Sequence, residues 1–340
     1  MAITLDLALV LLIAAAASAG LITVLWPLLR RYAVAQPNAR SSHVAATPQG
    51  GGIAVVTATV VAVLAGTAIG TTPTPILALW PLAGAVLLLA VTGTCDDIVH
   101  LAVAPRLLAQ FLAVGIVLAM LPPAARVVPQ LPWWVERTVL LIAGVYAVNI
   151  VNFMDGLDWM TAAEVVPVTA GLWLLALCGA LPSSDAVVAV ALLGAMIGFA
   201  PFNRPVAKLF LGDVGSLPIG LLLFWLLLRL AAHDHLAAAL LLPLYYLADA
   251  TTTLVLRLKR GENLLRAHRT HFYQRATDRG FSVLDVVTRV FVVNVALAAL
   301  ALATVAAPST AAQLGVLALG AAIVAALLAH LSRGKPGRAA

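Results

Sequence analysis

Asn149-Ile-Val-Asn152-Phe-Met-Asp155-Gly156-Leu-Asp158-Trp159-Met160 closes one long apolar run and precedes another. Two amides and two carboxylates fall within ten residues of a chain whose charged fraction is only 10%. A carboxylate near a bilayer is costly to place and usually marks function. The stretch therefore reads as a polar loop held at the end of a membrane helix, and the flanking runs decide the fold.

Those runs dominate the composition. The chain has 340 residues, 63% of them hydrophobic, and a mean hydropathy of +1.05. Soluble domains carry about 25% charged residues. This one is expected to be an all-α polytopic membrane protein, because only helices and closed barrels satisfy their backbone in lipid. The continuous Ala, Leu and Val runs lack barrel-type alternation. Ala17-Ser18-Ala19 resembles a cleavage site, but no Lys or Arg precedes the apolar run, which continues to Leu29. It reads as an uncleaved first helix. Cys95 and Cys178 form no disulfide framework and no metal-ligand spacing. A nucleic-acid partner is not expected, and a homodimer is compatible with the sequence.

About eleven runs are long enough to span, at roughly 20 residues each. They lie near 4–29, 52–70, 75–93, 107–121, 138–154, 161–181, 185–202, 215–232, 236–256, 284–307 and 310–331. Eleven spans put the termini on opposite sides. One set of connecting segments holds sixteen Lys and Arg, among them Arg30, Arg106, Arg204, Lys208 and seven between Arg257 and Arg279. The other set holds only Arg126, Arg137 and Arg229. The positive-inside rule then predicts an outer N-terminus and a cytoplasmic C-terminus. The whole chain, 1–340, reads as a single transmembrane domain.

Five polar loops, near 30–51, 94–106, 149–160, 203–216 and 257–283, fall on the cytoplasmic side chosen by that charge count. The first carries Arg40-Ser41-Ser42-His43 and Gly50-Gly51-Gly52, the second Asp96-Asp97, the fourth Gly212-Asp213-Val214-Gly215-Ser216, the fifth His268-Arg269-Thr270-His271. The outer loops hold little beyond His233-Asp234-His235. One-sidedness of this kind predicts one cytoplasmic site.

Asp96 and Asp97 end the third span, where the helix dipole disfavours carboxylates unless a cation accompanies them. Asp155 and Asp158 share a face if their segment is helical. With Asp213, five carboxylates converge, and a hard divalent ion relieves their repulsion. Oxygen ligands without cysteine favour Mg²⁺ or Mn²⁺. Gly212 to Ser216 at a helix N-terminus either cradles an anion or is an N-cap with a tight turn. Gly50 to Gly52 lets the second helix start close to its neighbours. Lys259, Arg260, Arg266, Arg269, His268 and His271 supply positive charge for phosphate groups. Carboxylates, metal and an Arg/His cluster together point to phosphoryl transfer. Glu164, Asp249 and Arg289 lie inside spans, lining the site or pairing within the bundle.

Assembled in this order, these motifs resemble the polyprenyl-phosphate N-acetylhexosamine-1-phosphate transferase superfamily over almost the whole chain. Asp96-Asp97 resembles its aspartate pair. Asn149, Asn152, Asp155, Gly156 and Asp158 resemble its Asn-x-x-Asn-x-x-Asp-Gly-x-Asp-Gly signature, with Trp159 in place of the second glycine. Phe210 to Ser216 resembles its Phe-x-Gly-Asp-x-Gly-Ser element, and His268 to His271 its histidine loop. His-Arg-Thr-His replaces the triple histidine of lipid I synthases, and with Arg40 to His43 it leans toward the O-antigen-initiating branch.

The resemblance implies a reaction in the bacterial inner membrane. The phosphate of undecaprenyl phosphate attacks the sugar-linked phosphorus of a UDP-N-acetyl amino sugar, and UMP leaves. It also implies that Asp155 and Asp213 hold Mg²⁺ and that Asp96 deprotonates or positions the lipid phosphate. Asp97 and Asp158 are expected to contact nucleotide or metal, and His268 and His271 the phosphates or sugar. Asn149, Asn152, Gly212, Ser216, Lys259, Arg266 and Arg269 form the expected substrate-binding set. A secondary transporter would instead place its carboxylates near the midplane and show an internal repeat. A CDP-alcohol transferase would need a denser aspartate run. Neither pattern is present.

Overall fold

A computed structural model describes residues 2–35, 46–71, 76–264, 268–307 and 309–334. The chain begins with a long helix, α1 (Ala2–Tyr32), carrying Pro27 near its end. Val34–Ala35 (β1) and Thr47–Pro48 (β2) pair antiparallel in a two-residue ladder, a small exception to the all-helical expectation. Next come α2 (Gly51–Ala68), α3 (Trp80–Val99), α4 (Val103–Ala119), α5 (Trp133–Met154), α6 (Met160–Leu177) and α7 (Ser183–Phe199). The C-terminal half holds α8 (Asp213–Ala231), α9 (Leu236–Leu241), α10 (Leu244–Lys259), α11 (Phe272–Asp278), α12 (Val283–Ala306) and α13 (Thr310–Arg333).

The span count departs from the eleven expected. Among the described residues, eight helices are long and apolar enough to cross a membrane, while α4 and α7 are shorter apolar helices. The ninth run is not continuous. It breaks into α9 and α10 at Pro243, whose ring cannot continue a helix hydrogen-bond ladder.

α8 is the central pillar. It packs on α3, α5, α2 and α9, and nearly every residue from Val214 to Ala231 is buried. A helix that is apolar all round belongs in the middle of a bundle. The outer helices α1 and α13 instead show aliphatic side chains such as Leu12, Val24, Leu314 and Leu319 on the surface, a lipid-facing pattern.

The ions outside the acidic loops have local partners, though one oxygen of the buried Glu164 has none among the described residues. Glu136 accepts the Val127 and Val128 amides at 2.7 Å and pairs with Arg126, fixing the proline-rich α4–α5 connection. Arg229 pairs with Asp185 at 2.8 Å. Asn294 of α12 donates to Glu164 of α6 at 2.6 Å, and Arg289 stays on its own helix with Asp285. Arg229 with Asp185 and Asn294 with Glu164 join neighbouring helices.

Candidate active site

The site is built around the N-terminus of α8. Its first two amides, of Asp213 and Val214, donate to the two oxygens of Asp97 at 3.0 and 3.2 Å. A helix N-terminus attracts an anion, and here the protein supplies its own. The glycine-rich element was open to two readings, an anion cradle or an N-cap with a tight turn. The structure has the tight turn, and Asp97 from the last turn of α3 takes the place of an outside anion. Gly212, with φ 77°, makes the turn, and a Cβ there would lie 2.7 Å from Asp97 Oδ2.

Two neighbours hold this helix start from behind. The Gly51 and Gly52 amides donate to Phe210 and Leu211 carbonyls at 2.9 and 2.8 Å. A Cβ on Gly52 would sit 2.2 Å from the Gly215 Cα, and one on Gly93 2.2 Å from the Asp213 carbonyl oxygen. Backbones of α2, α3 and α8 therefore meet with no room for a side chain, as expected for Gly50 to Gly52.

From this anchor a polar network spreads. Asn152, on the last turn of α5, donates to Asp213 Oδ1 at 2.7 Å and to Ser216 Oγ at 2.9 Å. Ser216 is fully buried, so it orients Asn152 and presents nothing to a ligand. Asp96 receives the Arg106 guanidinium at 2.5 Å and the Leu101 amide at 2.7 Å. The same guanidinium lies 3.9 Å from Asp213 Oδ2. Arg106 had been read only as a topology charge. Its spacing of ten from Asp96, across a tight turn at His100, was the signal available in the sequence. Asn149 exchanges hydrogen bonds with the buried Gln110 of α4, at 2.6 Å from Asn149 to Gln110, another partner the sequence did not single out.

The central loop is not helical. α5 ends at Met154 and α6 begins at Met160, so Asp155 and Asp158 do not share a helix face as a continued helix would require. Asp155 stays with the acidic group, accepting the Thr161 hydroxyl. Burial pushes its carboxyl up to about 7, the Thr161 bond opposes this, and the charges of Asp97 and Asp158 raise it further. Asp158 instead accepts the Ala207 amide at 2.9 Å, tying the loop to 203–207. Trp159 takes a left-handed conformation, φ 63°, which glycine adopts without strain. Its amide donates to Asn203 at 2.8 Å and its indole to the Ala200 carbonyl at 2.6 Å.

The histidine loop folds onto this stretch through α11. Asp249 of α10, fully buried, accepts the Phe272 and Tyr273 amides at 3.0 and 3.1 Å and lies 3.3 Å from His271 Nδ1. It is the anionic cap of α11 and orients His271. Tyr273 donates to the Phe153 carbonyl at 2.9 Å, and a Cβ on Gly156 would be 2.2 Å from that phenol oxygen. His268 and His271 rings are 4.9 Å apart. Burial, then the neighbouring His271 and Arg257, hold His268 down to about 4, so it is neutral near pH 7.

The basic residues fare differently. Arg269 pairs with Asp278 at 3.0 Å and Arg260 sits 3.8 Å from Glu262, while Lys259 is exposed at the end of α10. The structure spends two of these expected phosphate-binding charges on local acids. Arg266 and the stretch Arg40 to His43 lie outside the described residues.

Among the described residues, no three His, Cys, Asp or Glu side chains form a preformed metal cage. The donor set still fits Mg²⁺, which binds through one or two carboxylates and completes its shell with substrate phosphates and water. Asp96, Asp97, Asp155 and Asp213 interact as like charges, with Arg106 paired among them. Thr161 and Asn152 each bond one oxygen of Asp155 and Asp213.

Crowded carboxylates therefore lie at one end of a helical membrane bundle, with the histidine-bearing α11 seated on the same loop. Residues 79–231 match the glycosyl transferase family 4 model. The chain resembles that family, the polyprenyl-phosphate N-acetylhexosamine-1-phosphate transferases, over a little under half of its length. It is 29% identical to a decaprenyl-phosphate N-acetylglucosaminephosphotransferase of Mycolicibacterium smegmatis, over 90% of this chain and 84% of that protein. It is 30% identical to a phospho-N-acetylmuramoyl-pentapeptide-transferase of Chlamydia trachomatis, over 52% of this chain and 59% of the relative. A Bartonella quintana protein of the same name is 29% identical over 44% of this chain and 46% of its own.

Proposed function

We propose that this protein transfers an N-acetylated amino-sugar 1-phosphate from a UDP-sugar to a polyprenyl phosphate such as undecaprenyl phosphate, starting a cell-surface polysaccharide such as O-antigen in the bacterial inner membrane. A lipid phosphate oxygen attacks the sugar-linked phosphorus, the bond to the UMP oxygen breaks, and UMP departs. The observation that carries this reading is the seating of the histidine helix on the acidic loop, Tyr273 on Phe153 and Gly156. It supports the reading that His268 and His271 contact phosphates near the carboxylates.

Asp155 and Asp213 would hold Mg²⁺, whose charge would neutralise the donor diphosphate. Asp96, held by Arg106, positions the lipid phosphate, and His268 and His271 contact phosphates or sugar. The orientation with these loops on the cytoplasmic side is supported by the Lys/Arg asymmetry. His268-Arg269-Thr270-His271 and the extent of the match to the N-acetylglucosamine enzyme support a UDP-N-acetylglucosamine-like donor. The names of the shorter matches favour UDP-muramoyl pentapeptide as the second reading.

The test supplies purified protein with undecaprenyl or decaprenyl phosphate, Mg²⁺ and a panel of UDP-amino sugars, and reads UMP and lipid-linked sugar. UMP release that does not need the polyprenyl phosphate, or undiminished activity in Asp155→Asn, would overturn the reading.

A further inference from the structure

α11 has two opposite faces. At about 100° per residue, Tyr273 and Gln274 share one side, and that side meets Gly156 of the acidic loop. Phe272, Arg275 and Arg279 point roughly the other way. They line a separate cavity of about 210 Å³ between α10, α11 and the end of α13. Arg257 and Arg260 of α10 complete its basic wall, and Thr253 and Thr270 add hydroxyls.

Four guanidinium groups around one small cavity are costly unless anions accompany them. Glu262 binds Arg257 at 2.7 Å and lies 3.8 Å from Arg260, offsetting one charge. Arg279 reaches the Ser332 carbonyl at the last turn of α13. The wall keeps a net excess of positive charge. The cavity also lies where α10 ends at Lys259 and the apolar helix α13 ends at Arg333, with the partly exposed Leu256 in its lining. The end of an apolar membrane helix is where lipid headgroups are expected.

We propose that this cavity is a second anion site, binding a phosphate group on the face of α11 turned away from the acidic loop. The phosphate is carried by an anionic phospholipid headgroup or by a free phosphate compound. Planar guanidinium forks suit phosphate oxygens, and the flanking Leu256 and Phe272 suit a ligand with an apolar portion.

The test uses the full chain in nanodiscs of phosphatidylcholine, with or without phosphatidylglycerol, and native mass spectrometry to count retained lipid. A parallel arm titrates inorganic phosphate into phosphatidylcholine nanodiscs. Variants are Arg275→Gln, Arg279→Gln and, as an exposed control at another loop, Arg204→Gln. Loss of one charge-assisted contact weakens binding by about tenfold. Weakened phosphatidylglycerol retention in R275Q and R279Q, with R204Q unchanged, supports the site with a lipid source. The same pattern for inorganic phosphate alone supports it with a free one. Binding of both probes that is equal in all four proteins overturns it. If R279Q does not fold, because it loses the Ser332 bond, R275Q alone decides.

Discussion

The Tyr273 hydroxyl donates to the Phe153 carbonyl at 2.9 Å, across 120 residues of chain. This bond joins the two halves of the site. Phe153 precedes the central aspartates and Tyr273 follows the histidines, so its loss lets one half drift from the other. Tyr273→Phe removes one buried bond, worth about 1 kcal/mol of stability. Its expected effect on transfer is larger, a fall of about tenfold, because small misplacement of catalytic groups is amplified in rate. Gly156→Ala puts a methyl group 2.2 Å from the phenol oxygen and is expected to be worse. UMP release and thermal unfolding of both variants check this.

Asp155 gives a pH prediction with a definite sign. An unfolded aspartate titrates near 3.9, and in the fold burial moves this one to about 7. Between those values the folded protein binds a proton that the unfolded chain does not. Without divalent cation, stability therefore falls as pH rises from about 4 to about 7. Mg²⁺ favours the ionised form, so adding it should flatten the slope, and Asp155→Asn should show less slope in either condition. Tm against pH in detergent, with and without Mg²⁺, reads all three.

Arg106 pairs with a buried carboxylate, Asp96. Arg106→Gln strands that charge at a cost of about 1–3 kcal/mol, discounted because the arginine is partly exposed. Adding Asp96→Asn should restore much of the stability. It should not restore transfer, because the double variant lacks the carboxylate proposed to position the lipid phosphate. A double-mutant cycle on Tm and on rate separates the two effects.

Trp159 occupies a backbone conformation that costs a side chain about 1–2 kcal/mol. Trp159→Gly relieves that strain while losing the indole bond to Ala200, so its Tm should stay near that of the parent. Trp159→Ala keeps the strain and loses the bond, and its Tm should drop further. Since the loop at 200–203 holds this residue, Trp159→Gly is expected to change turnover or donor preference without preventing membrane insertion. The UDP-sugar panel reads it.

Much of this arrangement was legible in the sequence. The hydropathy runs locate the helices, and the polar loops name the residues that gather: Asp96, Asp97, Asn152, Asp155 and Asp213. What the sequence hid was direction. Asp97 and Ser216 carry motif residues yet turn inward, because the α8 N-terminus and Asn152 bond them first. Arg106 looked like a topology charge and Gln110 did not stand out, since contacts between neighbouring helices leave no local pattern. Asp249 could equally have been a ligand. Only the fold shows it beneath His271. The break at Pro243 explains the ninth run, where hydropathy continued but the helix did not.

The contact of Gly52 with Gly215, and of Gly93 with Asp213, makes the acidic half immobile on one side. Three helices meet there backbone to backbone, so no side chain can yield to let them slide. Adjustment on substrate entry then falls to the opposite half, where α10 and α11 are joined to the acidic half through side-chain bonds such as Tyr273 to Phe153 and Tyr246 to Met160. The acidic half is thus the backbone-packed side of the site, and the histidine half is the side held by individual side-chain bonds.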